Sequence, residues 1–424
     1  MPMPLTGERL VERMTDAERE RARRVETVLP ALREAAPAAD AAAAFHFPHV
    51  ASLREAGLLG LVVPERYGGL GGGLRDLAAA TYAMGTACPS TALAFFFHNT
   101  SASRGLLPLE ALDAGLFDPE EAPTVRAFAE KVLNRMARGT WLANFASEEV
   151  KSSGANIAIA TTARPAEGGW LLEGVKSFGC ATGVADTYLV TARVAGADDA
   201  DGLALFLVPR EAHGVASREP WNGLGMRASA NHGVTLSDVF VPGDEALTVP
   251  GAFVRMLRMS RGSFVGNQLA ISAVYLGAAQ AVYDFALDRL TRKTFADSGR
   301  PIASSPMHQV IIAEMTERLE TAYLWLRRQL DLETGDPPLR AKPEVYRQWR
   351  IAKGDIAEAC FQVALGAFKA CGTSAAALDG VVGRGLRDLA MGLVMTFPAE
   401  RGRLEAARMV TGDRENELFA SVRA

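Results

Sequence analysis

The stretch RDLAMGLVMTFPAERGRLEAAR, Arg387 to Arg408, decides how this chain is read. An adjacent cation and anion open it, a mainly apolar run follows, and a charged segment closes it. Its pattern predicts the last of a series of helices, near residues 384–410, after others near 252–292, 306–333 and 343–372. The connecting pieces ADSGRP, ETGDPP and ACGTSAA carry turn chemistry. Long helices joined by short loops predict a C-terminal four-helix bundle. Within the stretch, Pro398 stands between Thr396 and Glu400, which lie one turn apart if the helix continues.

Ahead of the bundle the texture changes. Between about residues 141 and 250, GWLLEGVKSF, DTYLVTARV, LALFLVP and HGVTLSDVFVP are short β-branched or aromatic runs separated by Gly, Asp and Pro. They predict a small antiparallel, β-barrel-like domain. The first 140 residues read as helical, with ERARRVETVLPALREAA and VASLREAGLLGL mixing charge and apolar residues at helical spacing. PERYGGLGGG (Pro64 to Gly73) interrupts them as a loop. It lacks the strand before and the GxGxxG spacing that a dinucleotide-binding turn requires. The fold class is therefore α+β, mostly α, with domains at 1–140, 141–250 and 251–424.

Composition narrows the function. Hydrophobic residues make up 49% of the 424, charged residues 22%, and the net charge is −4. Without a basic field, nucleic acid is not an expected partner. Cys88, Cys180, Cys360 and Cys371 show neither CxxC pairing nor metal-ligand spacing, as expected of a reduced cytoplasmic protein without a metal. The apolar runs AGLLGLVVP and TALAFFF are too short to span a bilayer, and residues 6–33 lack the apolar core of a secretory signal.

The order of helical domain, β domain and bundle resembles the acyl-CoA dehydrogenase superfamily from about residue 50 onward. The likeness rests on LREAGLLGLVVPERYGGLGGG, GLGMRASANHGVTLSDVFVP (Gly223 to Pro242), RKTF (Arg292 to Phe295) with His308-Gln309, and the Arg387-Asp388 pair. It implies FAD held between the β domain and the bundle, a homotetramer, an acyl thioester substrate and a flavoprotein electron acceptor. In FASEEVKSSG, Ser147 and Ser153 fall on the family's flavin-binding hydroxyls, with Gly154 in place of an Asp. In GVKSFGCATG, Phe178 replaces a Trp against the flavin ring, and Cys180 replaces a Thr whose hydroxyl meets flavin N5. A thiol is a weaker donor, and a buried free Cys equally reads as a small hydrophobe. Arg292 and Phe295 fall on positions that reach a neighbouring subunit's FAD, and Gln309 and Gly372 on two further contacts.

The resemblance also exposes a gap. The position of the family's catalytic Glu is Thr396, and the alternative site, one residue before an Arg that matches Arg261, is Ser260. Neither is a carboxylate. A positioned base contributes roughly 10²–10⁴-fold to such a reaction. Glu400 and His98 are the substitutes at hand, set against the ordinary readings of a solvated Glu and a satisfied core His. The expectation is FAD-dependent α,β-oxidation of an acyl thioester with an atypical base. The alternatives are a monooxygenase of the same fold, using reduced flavin and O₂ with a flavin reductase, and a flavin-binding protein without turnover.

Overall fold

The structure is a computed structural model that describes residues 5–146, 159–197, 199–260 and 269–412. The N-terminal helices are α1 (Asp16–Ala42), α2 (Pro48–Glu55), α3 (Leu74–Ala87), α4 (Pro89–Thr100), α5 (Ser103–Asp113) and α6 (Ala122–Ala137). Helix α1 starts on a capping box: Thr15 Oγ1 accepts from Glu18 N at 3.2 Å, and Glu18 accepts from Thr15 N at 2.7 Å. That satisfies two of the amides a helix start leaves open. Val25, Val28, Leu29 and Leu32 form its buried stripe. Helix α3 is buried along nearly its whole length.

The middle domain is a mixed sheet of β1 (Leu142–Phe145), β2 (Thr162–Ala166), β3 (Gly169–Gly179), β4 (Thr187–Val194), β5 (Leu203–Pro209), β6 (Val215–Ser217), β7 (His232–Pro242) and β8 (Ala246–Leu247). The strands run in the order β6-β7-β3-β2-β4-β5-β8, with β1 paired to β4. The expected antiparallel pairing holds for β2–β3, β3–β7, β4–β5, β5–β8 and β6–β7. It fails where β1 and β2 share one edge of β4, since both run parallel to it. Parallel neighbours need a long connection rather than a hairpin, and sequence alternation does not encode that choice.

The C-terminal part comprises α7 (Ala252–Leu257), α8 (Leu269–Arg292), α9 (Pro306–Thr334), α10 (Lys342–Cys371), α11 (Val381–Gly392) and α12 (Ala399–Thr411). Helices α8 to α11 form the bundle, with α12 against α10. Two helices predicted as continuous are interrupted. The segment 252–292 divides after Leu257, where Arg258, Met259 and Ser260 bond back three residues and tighten the helix end. The segment 384–410 divides between Gly392 and Ala399. Helix α8 is long and apolar enough to cross a bilayer, yet 78% of its apolar window is buried. It is a core helix by packing, and α3 lies on it backbone to backbone. A Cβ at Gly277 would stand 2.1 Å from Tyr82 O, so only glycine permits that approach.

Candidate active site

Arg387 and Asp388 pin the bundle to the rest of the molecule. The Arg387 guanidinium forks onto both carboxylate oxygens of Asp40, at the end of α1, and also donates to Leu224 O and Leu378 O. The Asp40 bond holds the guanidinium above its ordinary range, with burial opposing. Asp388 is buried, and its Oδ1 accepts from Met226 N at 2.6 Å. Burial raises its carboxyl to about 6, while the Met226 amide pulls the other way. The loop before β7 meets α11 so closely that a Cβ at Gly225 would lie 2.1 Å from Arg387 O.

The turn from α11 to α12 carries position 396. Pro398 has no N–H to offer and turns the residue before it away from helix. It caps α12 in extended conformation. Lys353, buried in α10, completes the break: its Nζ donates to Gly392 O at 2.9 Å and Phe397 O at 2.6 Å. The ammonium also lies 5.3 Å from the Phe397 ring centroid. Burial lowers it to about 8. Thr396 itself is left-handed, with φ +66°. Its side chain is exposed, and Oγ1 donates to Met395 O at 2.6 Å.

None of the four described base candidates presents a free base to the β domain. Glu400 starts α12, exposed, and borders a cleft of 710 Å³ with Trp325, Lys353, Asp355, Glu358 and Leu393, all bundle residues. His98 is buried in the core, with both ring nitrogens bonded to backbone. Leu142 N donates to its Nδ1 at 2.9 Å, so Nε2 carries the hydrogen and donates to Leu59 O at 2.7 Å. Burial pulls it down to about 4, the two backbone bonds opposing, so it is neutral and fully engaged. Ser260 lies off any bundle helix, in the connection after α7, with its amide on Leu257 O. Arg261 falls outside the described residues, as do Ser147 and Ser153. Thr396, on its turn, offers only a hydroxyl bound to its own chain.

On the β-domain side, β3 ends in Phe178 and Gly179, followed by Cys180. Phe178 is 44% exposed, and its ring meets Trp221 edge-on at 5.5 Å. Cys180 is buried, and burial pushes its thiol well above the ordinary range. Tyr275 of α8 completes this junction, and the sequence reading passed over it. The ring packs against Gly392 at the end of α11. The hydroxyl is buried without a partner among the described residues. Burial raises it strongly, with smaller contributions from the thiols of Cys180 and Cys360. A Tyr in the apolar run SAVYLGAAQ reads as core, so periodicity gave no signal.

The residues expected to reach a neighbouring subunit lie at or near the surface of the chain. Arg292 ends α8 and pairs with Asp288 at 2.7 Å, its side chain 80% exposed. Phe295 meets the His308 ring edge-on at 6.3 Å. Gln309 is exposed on the first turn of α9. Gly372 ends α10 with φ +72°. Arg289 donates to Ser374 Oγ, which brings the end of α8 to the turn beside Gly372.

A flavin fits what these residues leave open. Buried polar atoms without partners are uncommon in native proteins. Among the described residues, Asn144 Oδ1 on β1, Ser177 Oγ on β3 and Tyr275 OH on α8 are all of that kind. The strands carrying the first two touch at their ends, for a Cβ at Gly179 would lie 2.3 Å from the Phe145 ring. No group of His, Cys, Asp and Glu suited to a metal occurs among the described residues.

Comparison with known proteins follows the same division of the chain. Residues 16–108 match the acyl-CoA dehydrogenase N-terminal domain, 143–239 the middle domain and 269–396 the C-terminal domain. An amino sugar nitrososynthase of Streptomyces rubradiris is 33% identical over 56% of this chain and 53% of its own length. The chain thus spans about half the length of that relative. The amino sugar nitrososynthase of Streptomyces peucetius is 30% identical over 70% of each chain. Among solved structures, KijD3 in complex with FMN and dTDP-3-amino-2,3,6-trideoxy-4-keto-3-methyl-D-glucose superposes with a TM-score of 0.80 at 26% identity, covering 98% of this chain and 99% of that one. Together with the helix–sheet–bundle architecture, these matches mean that the chain belongs to the acyl-CoA dehydrogenase superfamily.

Proposed function

We propose that this chain is a flavin-dependent monooxygenase that oxygenates an amine nitrogen of a small molecule. The observation that carries this reading is the state of position 396. A hydroxyl stands there on a left-handed turn, bonded to its own chain, where α-proton abstraction needs a carboxylate. Glu400 borders a cleft of bundle residues, and His98 is neutral with both nitrogens engaged. An amine brings its own lone pair and needs no such base. The nitrososynthase names of the relatives support the same choice. Acyl thioester dehydrogenation, the sequence expectation, lacks a free base at the expected positions among the described residues.

Bound at this junction, a reduced flavin would supply the two electrons that O₂ takes up. The balance is R–NH₂ + O₂ + 2e⁻ + 2H⁺ giving R–NHOH + H₂O, with a separate flavin reductase as electron source. The chain's own residues set the conditions. Tyr275 keeps its proton at neutral pH and can donate a hydrogen bond into the junction. Cys180 remains a thiol and would offer a bound flavin only a weak donor. Phe178 and Trp221 form an aromatic wall on the exposed side. In a homotetramer, Arg292, Phe295, Gln309 and Gly372 would reach a neighbour's cofactor, and FAD rather than FMN would use them. A cytoplasmic location suits the reduced cysteines.

The test is oxygen uptake by the purified protein with a flavin reductase, NAD(P)H and a panel of amino sugars and other amines. Substrate-dependent O₂ consumption with a hydroxylamine product supports the proposal. Flavin bleaching by acyl thioesters without O₂ consumption contradicts it.

A further inference from the structure

Arg104 lies in the first turn of α5 and is 4% exposed. A guanidinium has five N–H donors, yet among the described residues this one forms a single hydrogen bond, from Nη1 to Ser103 Oγ at 3.3 Å. The guanidinium also lies over the ring of Phe253 on α7, 5.6 Å to the centroid. Nε is buried with no partner among the described residues. Burial lowers the group to about 10, and no acidic residue among the described residues offsets it. It therefore stays charged at neutral pH. By contrast, half-buried Arg21 pairs with Asp76 at 2.6 Å and buried Arg350 with Glu405 at 2.9 Å.

A buried charge without a counter-ion is strongly unfavourable, and an apolar side chain of similar size would pack there at lower cost. Ser103 is fully buried, and because its Oγ accepts from Arg104, its hydroxyl hydrogen is left to donate. A planar fork beside a hydroxyl donor complements an oxyanion in two-point geometry. We propose that Arg104 and Ser103 form a subsite for an oxyanion, a carboxylate or phosphate carried by the small molecule this protein binds. Neither residue belongs to the base or flavin sets above, so the subsite stands independently of the amine-oxygenation reading.

Thermal unfolding of the flavin-loaded protein tests it, in chloride, acetate, succinate, phosphate and pyrophosphate at matched ionic strength. In at least one oxyanion the midpoint should rise by about 2 °C over chloride. The acetate and succinate arms read a carboxylate ligand, and the phosphate and pyrophosphate arms a phosphate. Arg104→Met should remove the rise while unfolding in chloride at or above the native temperature, because it deletes an unpaired charge. General salting-out by phosphate appears equally in the variant and is subtracted. Ser103→Ala should diminish the rise and serves if Arg104→Met does not fold. The proposal is overturned if no oxyanion raises the midpoint, or if Arg104→Met keeps the rise. A drop of several degrees for Arg104→Met in chloride also overturns it, assigning the residue to packing against Phe253.

Discussion

Replacing His98 with Gln should make the protein less sensitive to acid, by an amount the structure sets. His98 is neutral in the fold, with burial pulling it down to about 4 from the ordinary 6.5. The unfolded chain therefore binds a proton that the folded chain refuses between those values, and stability falls as pH drops from about 6.5 toward about 4. The full gap corresponds to about 3 kcal/mol, and the part between about pH 7 and about pH 5 to about 2 kcal/mol. Protonation would also set a second N–H against the Leu142 amide, which now donates to Nδ1. A Gln amide can accept from Leu142 N and donate to Leu59 O without titrating. Urea unfolding of both proteins at the two pH values reads the effect by linear extrapolation. Other groups shift the total: His49, also lowered to about 4 by burial, adds acid sensitivity, while Asp388, raised to about 6, subtracts from it. The comparison with the variant isolates His98. Equal losses on acidification in the two proteins would refute its role as a neutral, doubly bonded core residue.

Lys353→Met leaves the carbonyls of Gly392 and Phe397 without their donor. It should cost about 1–3 kcal/mol and open residues 393–398 to proteolysis; unchanged stability and protease resistance would count against the turn's dependence on Lys353. Arg387→Met strands the buried carboxylate of Asp40 and should cost about 3–5 kcal/mol in chemical denaturation, largely recovered by adding Asp40→Asn. Recovery absent in the double variant would show that the pair does not join α1 to α11. All four cysteines are buried. Ellman's reagent at about pH 8 should find no reactive thiol until denaturant is added, whereas prompt labelling of Cys180 in the native protein would place it in solvent.

Much of the fold was legible because it rests on local patterns. Helical spacing in the N-terminal third, alternation between Gly169 and Pro242 and long amphipathic stretches after Ala252 each declare their element within a short window. What stayed hidden depends on partners far along the chain. Pro398 marked a possible break after α11, but the lysine that completes it sits on α10. The Arg387-Asp388 pair was recognised as a marker, while its partners, Asp40 and Met226, belong to other domains. The parallel placement of β1 and β2 on β4 is likewise a matter of connection. Within the site, Phe178 and Cys180 were picked out by their departure from a pattern. Tyr275 and Arg104 were not, since a Tyr in an apolar helix reads as core and an Arg on a helix as solvated. Only the burial of their unpartnered polar atoms distinguishes them.

The most direct test concerns position 396 and the chemistry it permits. Flavin-loaded protein, reduced anaerobically and then exposed to O₂ with an amine substrate, should yield one hydroxylamine per flavin, and Glu400→Gln should leave that yield unchanged. An acyl thioester that bleaches the oxidised flavin, with Glu400→Gln abolishing the bleaching, would contradict the proposal and restore Glu400 as the base of a dehydrogenase.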